Sequence, residues 1–535
     1  MLRKRVSIII IFVISMVLLY GCTKPNDDKE LADKELKKDE LILAVGSEPE
    51  DGFDPTTGWG RYGSPLFQST LLARDEELKI VYDLATNYEI SEDGLVWTVY
   101  LRKDARFSDG EPVTSEDVKY TYEMAANSGS VIDLNILDKV EALDEYTVEF
   151  TLKNPQSTFI HSLLTLGIVP KHFHSKNYAE NPIGSGPFKL VQWDKGQQII
   201  VEYNNEYYGE ESFFKKITFL FLSEDAAFAA AKAGSVDLAY VPPTFAKQEI
   251  EGMKVVKINS IDNRGIAFPY VEAGGKNEKG YPVGNDVTSD LAIRKAINIA
   301  IDRQALVDGV LEGFGSPAYT ICDGMPWWNP NSVIDDADME GAKRLLSESG
   351  WKDSDDDGIL EKGDVEAEFT LLYPASDQTR QYLAISVAEM IKPLGINIIV
   401  EGASWDNIEM MMHSNAVLLG WGSHDAMEMY NVYSGKAAGN GWYNTGFYQN
   451  ARVDEYLEQA LAATSEEEAI GYWKKSQWDG ETGMSAHGDA PWAWLVNLDH
   501  IYMAKENLDM GTIKMQPHGH GWPITDNILK WHWSD

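Results

Sequence analysis

Leu95-Val96-Trp97-Thr98-Val99-Tyr100-Leu101 runs into Arg102-Lys103-Asp104-Ala105-Arg106-Phe107-Ser108-Asp109-Gly110-Glu111-Pro112-Val113-Thr114-Ser115-Glu116-Asp117-Val118. The first seven residues alternate with a period of two, the mark of a half-buried strand bounded by Asp93-Gly94 and Lys103-Asp104. Thr114 then stands where a helix N-cap belongs. Asp117 lies three residues on, close to a capping box, and the pattern predicts a helix through Tyr122. A strand delivered into a capped helix is the repeating step of an α/β fold.

The same alternation extends outward. Leu41-Ile42-Leu43-Ala44-Val45, ended by Gly46, reads as a short apolar strand, and 147–152 puts Val148, Phe150 and Leu152 on one face. Segments 199–203, 217–221, 369–373 and 396–400 read as further strands. Helical patterns occupy 289–310, 341–349, 380–393 and 453–463. No repeat of fixed period is visible. Interleaved strands and helices predict α/β lobes, although periodicity does not show how often the chain crosses between them.

The chain has 535 residues, with 46 basic against 84 acidic side chains and a formal charge of −38. That length allows two to four domains at roughly 150 residues each. An apolar fraction of 44% excludes a disordered chain. The acidic balance excludes nucleic acid as a partner, because phosphate binding needs clustered Lys and Arg. Two cysteines exclude a disulfide scaffold.

The first 21 residues carry Arg3, Lys4 and Arg5 and then an apolar run from Val6 to Tyr20, too short to cross a bilayer core and right for a secretory signal. The run ends Leu19-Tyr20-Gly21-Cys22, which resembles a bacterial lipobox, so Cys22 is the expected lipidation site. Cys322 then has no partner in the chain and is expected as a buried thiol. Removing the three signal cations takes the net charge from −38 to −41. Residues 22–40 are polar and form a tether from lipid to folded body. The protein is expected to be exported and anchored on the outer face of the cytoplasmic membrane, or periplasmic.

Three blocks together resemble one family, the bacterial solute-binding proteins of peptide and nickel ABC importers (family 5, the oligopeptide-binding type). They are Leu84–Glu89 with Asp93–Val118, Gly184-Ser185-Gly186-Pro187-Phe188-Lys189-Leu190, and Arg294-Lys295-Ala296-Ile297-Asn298-Ile299-Ala300-Ile301-Asp302-Arg303. The resemblance implies a two-lobe clamp of the periplasmic-binding-protein type II with an extra third domain. Domain I would comprise 41–70, 183–288 and 504–535, domain II 71–182, and domain III 289–503. A small solute would lie between the lobes, and the closed form would dock on a membrane permease. Gly184 and Gly186 fall at one crossing between lobes, as a hinge or as a plain turn.

Catalytic signatures such as His-Glu-x-x-His, Gly-x-Ser-x-Gly or a phosphate loop are absent from the sequence. With 84 acids, pairs of carboxylates carry no signal. The protein is therefore read as a non-enzyme, with a secreted lipoprotein hydrolase as the remote alternative. In peptide-binding relatives, a Gly-Trp is followed three residues after the Trp by an aspartate that pairs with the ligand's ammonium group. Here Gly420-Trp421-Gly422-Ser423-His424-Asp425 places His424 there and the acid one step later. Either Asp425 takes over or the ligand is not an ordinary peptide. Imidazole is a good donor to nickel-like ions, and His518 and His520 in Pro517-His518-Gly519-His520-Gly521 could join His424 around one. The reading leans to a nickel-type metal chelate as transported ligand, with no resident cofactor. A di- or oligopeptide is the alternative.

Trp59, Tyr62, Trp405 and Trp421 are candidate stacking residues, and Arg264 a candidate for a ligand carboxylate. Asp353-Ser354-Asp355-Asp356-Asp357-Gly358 imitates the start of an EF-hand loop, but position twelve is Asp364 and a strand pattern follows, so an acidic turn is expected.

Overall fold

The computed structural model describes residues 39–534 apart from 47, 50, 63–65, 130–131 and 519–521. The signal, Cys22, most of the tether and His520 lie outside the described residues. Three main sheets organise the rest. A seven-stranded sheet runs in the order Met253–Ile258, His500–Lys505, Leu238–Tyr240, Glu40–Ala44, Lys216–Leu220, Gln198–Tyr203, Phe188–Asp194. A four-stranded antiparallel sheet runs Ala85–Ile90, Val96–Leu101, Thr147–Leu152, Leu137–Asp144. A six-stranded sheet runs Gly315–Pro317, Trp492–Leu498, Asn263–Ala267, Ala416–Leu419, Glu368–Pro374, Asn397–Ala403.

The small sheet shows how sequence makes structure here. Trp97, Val99 and Leu101 alternate inward with Val148, Phe150 and Leu152 and bury against Val118 and Tyr122 of the helix Ser115–Asn127. That helix starts where the capping residues stand: the Asp117 carboxylate accepts the Thr114 N–H at 3.0 Å and its hydroxyl at 2.9 Å. The six-stranded sheet is instead covered on both faces. Ala416 and Leu418 enter one core while Val417 and Leu419 enter the other, so this strand reads as an unbroken apolar run rather than an alternation.

Two sequence expectations shift. The helix expected over 289–310 is two helices, Leu291–Ala300 and Arg303–Gly309. Asp302 breaks it by accepting the Ala305 N–H as a new N-cap. The domain limits at 288/289 and 503/504 also move. Asn263–Ala267, expected in domain I, pairs with Trp492–Leu498 and Ala416–Leu419, and His500–Lys505 pairs with the first sheet. The chain therefore crosses at 259–262 and at Asp499. Period-two patterning cannot reveal which sheet a strand joins.

The two strands joining domains I and II lie against each other. Gly186 N–H donates to the Phe67 carbonyl at 2.8 Å, and a Cβ at Gly184 would stand 2.0 Å from that same oxygen. Glycine is needed there for close backbone approach. Cys322 is a buried free thiol. Gly184→Ala is expected to lower the unfolding midpoint by calorimetry, at a cost of roughly 1–3 kcal/mol. Gly471→Ala, inside the helix Glu466–Gln477 with open space where the methyl would go, should stabilise by roughly 0.5–1 kcal/mol. Equal effects at both positions would contradict this packing account.

Candidate ligand-binding site between the lobes

A cavity of about 250 Å³ opens where the three domains meet. Its walls are the 61–70 crossing and the Arg74 hairpin, the helix Ile160–Thr165, the 423–424 loop, and the tail from Lys514 to Leu529. A smaller chamber of about 60 Å³ adjoins it, sharing Arg74, His161 and His424 and walled by Trp97, Trp327 and Trp473. The lobes touch beside it: Ser157 donates to the Ala460 carbonyl at 2.7 Å, and Arg74 reaches the His424 carbonyl at 3.5 Å. The domains are in direct contact beside the cavity.

The loop bearing His424 follows the strand Ala416–Leu419 and is held from beneath. Asn263 N–H donates to the Trp421 carbonyl at 3.0 Å, and the Trp421 N–H donates to Asn263 Oδ1 at 2.8 Å. A Cβ at Gly420 would meet the Asn263 carbonyl at 2.4 Å, and one at Gly422 the Ile261 carbonyl at 2.5 Å. From above, the buried Glu428 carboxylate accepts the N–H groups of Gly422 and Ser423 at 3.1–3.2 Å. The loop is thus pinned on both sides.

Charge in the cavity is mostly basic, from Arg61, Arg74 and Lys514. Lys514 pairs with Asp526 at 2.8 Å, and burial raises the Asp83 carboxyl to about 6 despite the Tyr208 hydroxyl and the Thr70 N–H. Burial, then the positive charges of Lys514 and Arg74, pull His424 well below the usual imidazole range, so its ring is neutral. Its Nε2 is buried and has no hydrogen-bond partner in the protein.

The remaining expected residues are distributed differently. Tyr62 lines the cavity under the Arg61 guanidinium, 4.6 Å from its ring. Asp425 lines the side chamber and accepts the Met427 N–H at 2.9 Å, at the start of the next helix. Trp59 is not on the cleft. It is buried between Phe53 and Trp522, with ring centroids 4.9 and 5.3 Å away, because the first lobe's aromatic core closes around it. Arg264 does not face ligand either: it is spent on Asp262 at 2.5 Å and the Asn263 carbonyl at 2.7 Å. Trp421 secures the loop with its backbone and lies 6.0 Å from Tyr443. Trp405 is exposed, edge-on to Trp442 at 5.3 Å, and does not line the cavity. His518 does not line the cavity; its Nδ1 bonds Asp262 at 2.5 Å. Arg74, His161 and Lys514 were missed, and no local pattern marks them.

The acidic loop gathers Asp353, Asp355, Asp357 and Glu361 within 4.8 Å, all exposed except the half-buried Glu361. Its carboxylates accept backbone N–H groups of the turn, and a short hairpin follows.

Glu428 gives the site a titration signature. Burial raises its carboxyl from an ordinary 4.5 to about 7. The folded protein then binds the extra proton, so Glu428's contribution to stability is full below pH 4.5 and is lost as pH rises through 7. Wild type should lose up to roughly 3 kcal/mol across that window relative to Glu428→Gln, measured by urea unfolding at several pH values. A pH-independent difference would contradict the assignment.

Comparison with known proteins agrees with this architecture. The model of bacterial extracellular solute-binding proteins, family 5, matches residues 79–443. Protein XP55 of Streptomyces lividans is 32% identical over 492 residues, covering 89% of this chain and 86% of that one. The oligopeptide-binding protein AppA of Bacillus subtilis is 28% identical over 95% of this chain and 96% of its own. The crystal structure of NikZ from Campylobacter jejuni in complex with Ni(L-His) superposes with a TM-score of 0.73 at 26% identity, covering 92% of this chain and 99% of that one. The chain belongs to family 5 of the bacterial extracellular solute-binding proteins, the ligand-capturing components of ABC importers.

Proposed function

We propose that the protein captures a small anionic chelate of a nickel-type metal ion and delivers it, chemically unaltered, to an ABC permease. The observation that carries this reading is His424. It is a neutral imidazole, its Nε2 without a hydrogen-bond partner in the protein, beside a cavity lined by Arg61, Arg74 and Lys514 against Asp83 and Asp526. Neutral imidazole is the form that ligates metal. Arg61, Arg74 and Lys514 suit the carboxylates of an amino-acid chelator. The cavity's 250 Å³ lies below the ~300–1,000 Å³ usual for drug-sized ligands, which favours a compact solute. NikZ, crystallised with Ni(L-His), is similar in fold. A peptide's ammonium group would instead meet a neutral ring flanked by guanidinium and ammonium groups.

Export and anchoring through Cys22 belong to the same proposal, supported by the basic head, the short apolar run and the lipobox. Titration calorimetry should give heat with Ni²⁺ plus L-histidine. His424→Ala should abolish it, and Arg74→Ala should weaken it by roughly 1.5–3 kcal/mol, the range for a hydrogen bond to a charged group. Heat with mixed short peptides and none with nickel would overturn the chelate in favour of a peptide ligand.

A further inference from the structure

The charges around the cavity do not cancel within the protein. Lys514 and Asp526 neutralise each other at 2.8 Å. Arg61 lies over the Tyr62 ring, and Arg74 gives its guanidinium N–H groups to the Leu78 carbonyl at 2.7 Å and the His424 carbonyl at 3.5 Å. Asp83 accepts the Tyr208 hydroxyl on one oxygen and the Thr70 N–H, at 3.3 Å, on the other. The Arg102 guanidinium beside it is committed to the Asp104 carboxylate at 2.7 and 3.0 Å and to the Asp83 backbone carbonyl at 3.4 Å. Among the described residues, Arg61, Arg74 and Asp83 therefore stand without a salt bridge. With the Lys514–Asp526 pair set aside, the wall presents two cations and one carboxylate. Charges withdrawn from water are ordinarily matched. The occupant that matches this wall is anionic in balance and carries one cationic group.

We infer that Asp83 receives a cationic group of the transported chelate that the metal leaves free, while the chelate's carboxylates face Arg61 and Arg74. The inference rests on the chelate reading above and narrows its solute to a dipolar one. A carboxylate offers about four acceptor sites, and Tyr208 and Thr70 use two of them. Burial lifts the Asp83 carboxyl to about 6, so at neutral pH it is charged and incompletely compensated. Tyr207 lines the same cavity, and burial followed by the Asp83 charge holds its hydroxyl above the ordinary phenol range. Its ring, with those of Tyr62 and Tyr82, adds aromatic surface of the kind that attracts a cation.

The chemistry of the solute follows. An amino acid that chelates through its α-amino nitrogen and carboxylate, and bears a second ammonium at the end of its side chain, has the required form. That second nitrogen stays protonated and so cannot ligate. Asp425, the acid next to His424, is spent on the Met427 N–H, so recognition of the cation falls to a segment more than 300 residues away in sequence. Asp83 selects more than it grips. A chelate lacking the ammonium leaves the carboxylate desolvated and unmatched, and that penalty is what discriminates.

The test is titration calorimetry on the mature full chain at neutral pH, with Ni²⁺ plus L-ornithine against Ni²⁺ plus L-norvaline. The two chelators share a chain length and differ in the terminal ammonium. Wild type should bind the ornithine chelate about 10- to 100-fold more tightly, the range of a hydrogen bond to a charged group. Asp83→Asn should lose that preference and keep its affinity for the norvaline chelate, with unchanged melting as the check on folding. The wild-type comparison stands even if the variant does not fold. Equal affinity for the two chelates, binding of neither while Ni²⁺ with L-histidine binds, or a preference that survives in folded Asp83→Asn overturns the inference and leaves the chelate reading standing. No nickel binding with any of the three amino acids removes both.

Discussion

The binding loop lies on the crossing between the first and third domains, backbone against backbone, and this contact governs the site. Gly420 and Gly422 have no room for a Cβ above Asn263 and Ile261. Asn263 uses its backbone N–H and its side-chain carbonyl on Trp421, and its amide group on the Ile321 carbonyl. Any substitution that lifted the loop would displace His424, its neighbour Asp425 and the Glu428 clasp together. Rotation of the third domain against the first must likewise carry the loop along. The proposed ligand loop and the crossing beneath it are one packed unit.

The tail strengthens that unit. Gln516 pairs with the crossing at Asn259 and Ile261, and the His518 N–H donates to the Gly422 carbonyl at 2.7 Å. Lys514 contributes charge to the same cavity. A stretch of five residues thus serves hinge, loop and pocket, which explains why His518 is engaged with Asp262 rather than turned toward ligand.

Much of the architecture was legible in the residues. The strand 95–101, the Thr114–Asp117 box and the helix after it stand where local chemistry puts them, because period and capping are short-range properties. What failed was long-range. The sheet membership of Asn263–Ala267 depends on partners 150 or more residues away, and no local pattern encodes it. The site divides in the same way. His424 was readable because it occupies a spaced motif position. Arg74, His161 and Lys514 come from three remote segments and become neighbours only on folding. Arg264 and Trp59 misled for the converse reason: guanidinium and indole suit a ligand, yet here Asp262 and an aromatic core claim them.

A basic hole in a body of formal charge −38 also has a kinetic side. At low ionic strength the acidic exterior repels an anionic solute at long range, while the cationic lining attracts it only near the mouth. At physiological salt, fields die away over about 8 Å, so the exterior is muted and the lining, deeper and less screened, dominates. Capture of an anion by this molecule should therefore quicken as salt is added from very low concentration, opposite to ordinary attraction-steered encounters. The acidic coat acts as a filter tuned to the ionic strength outside the cell.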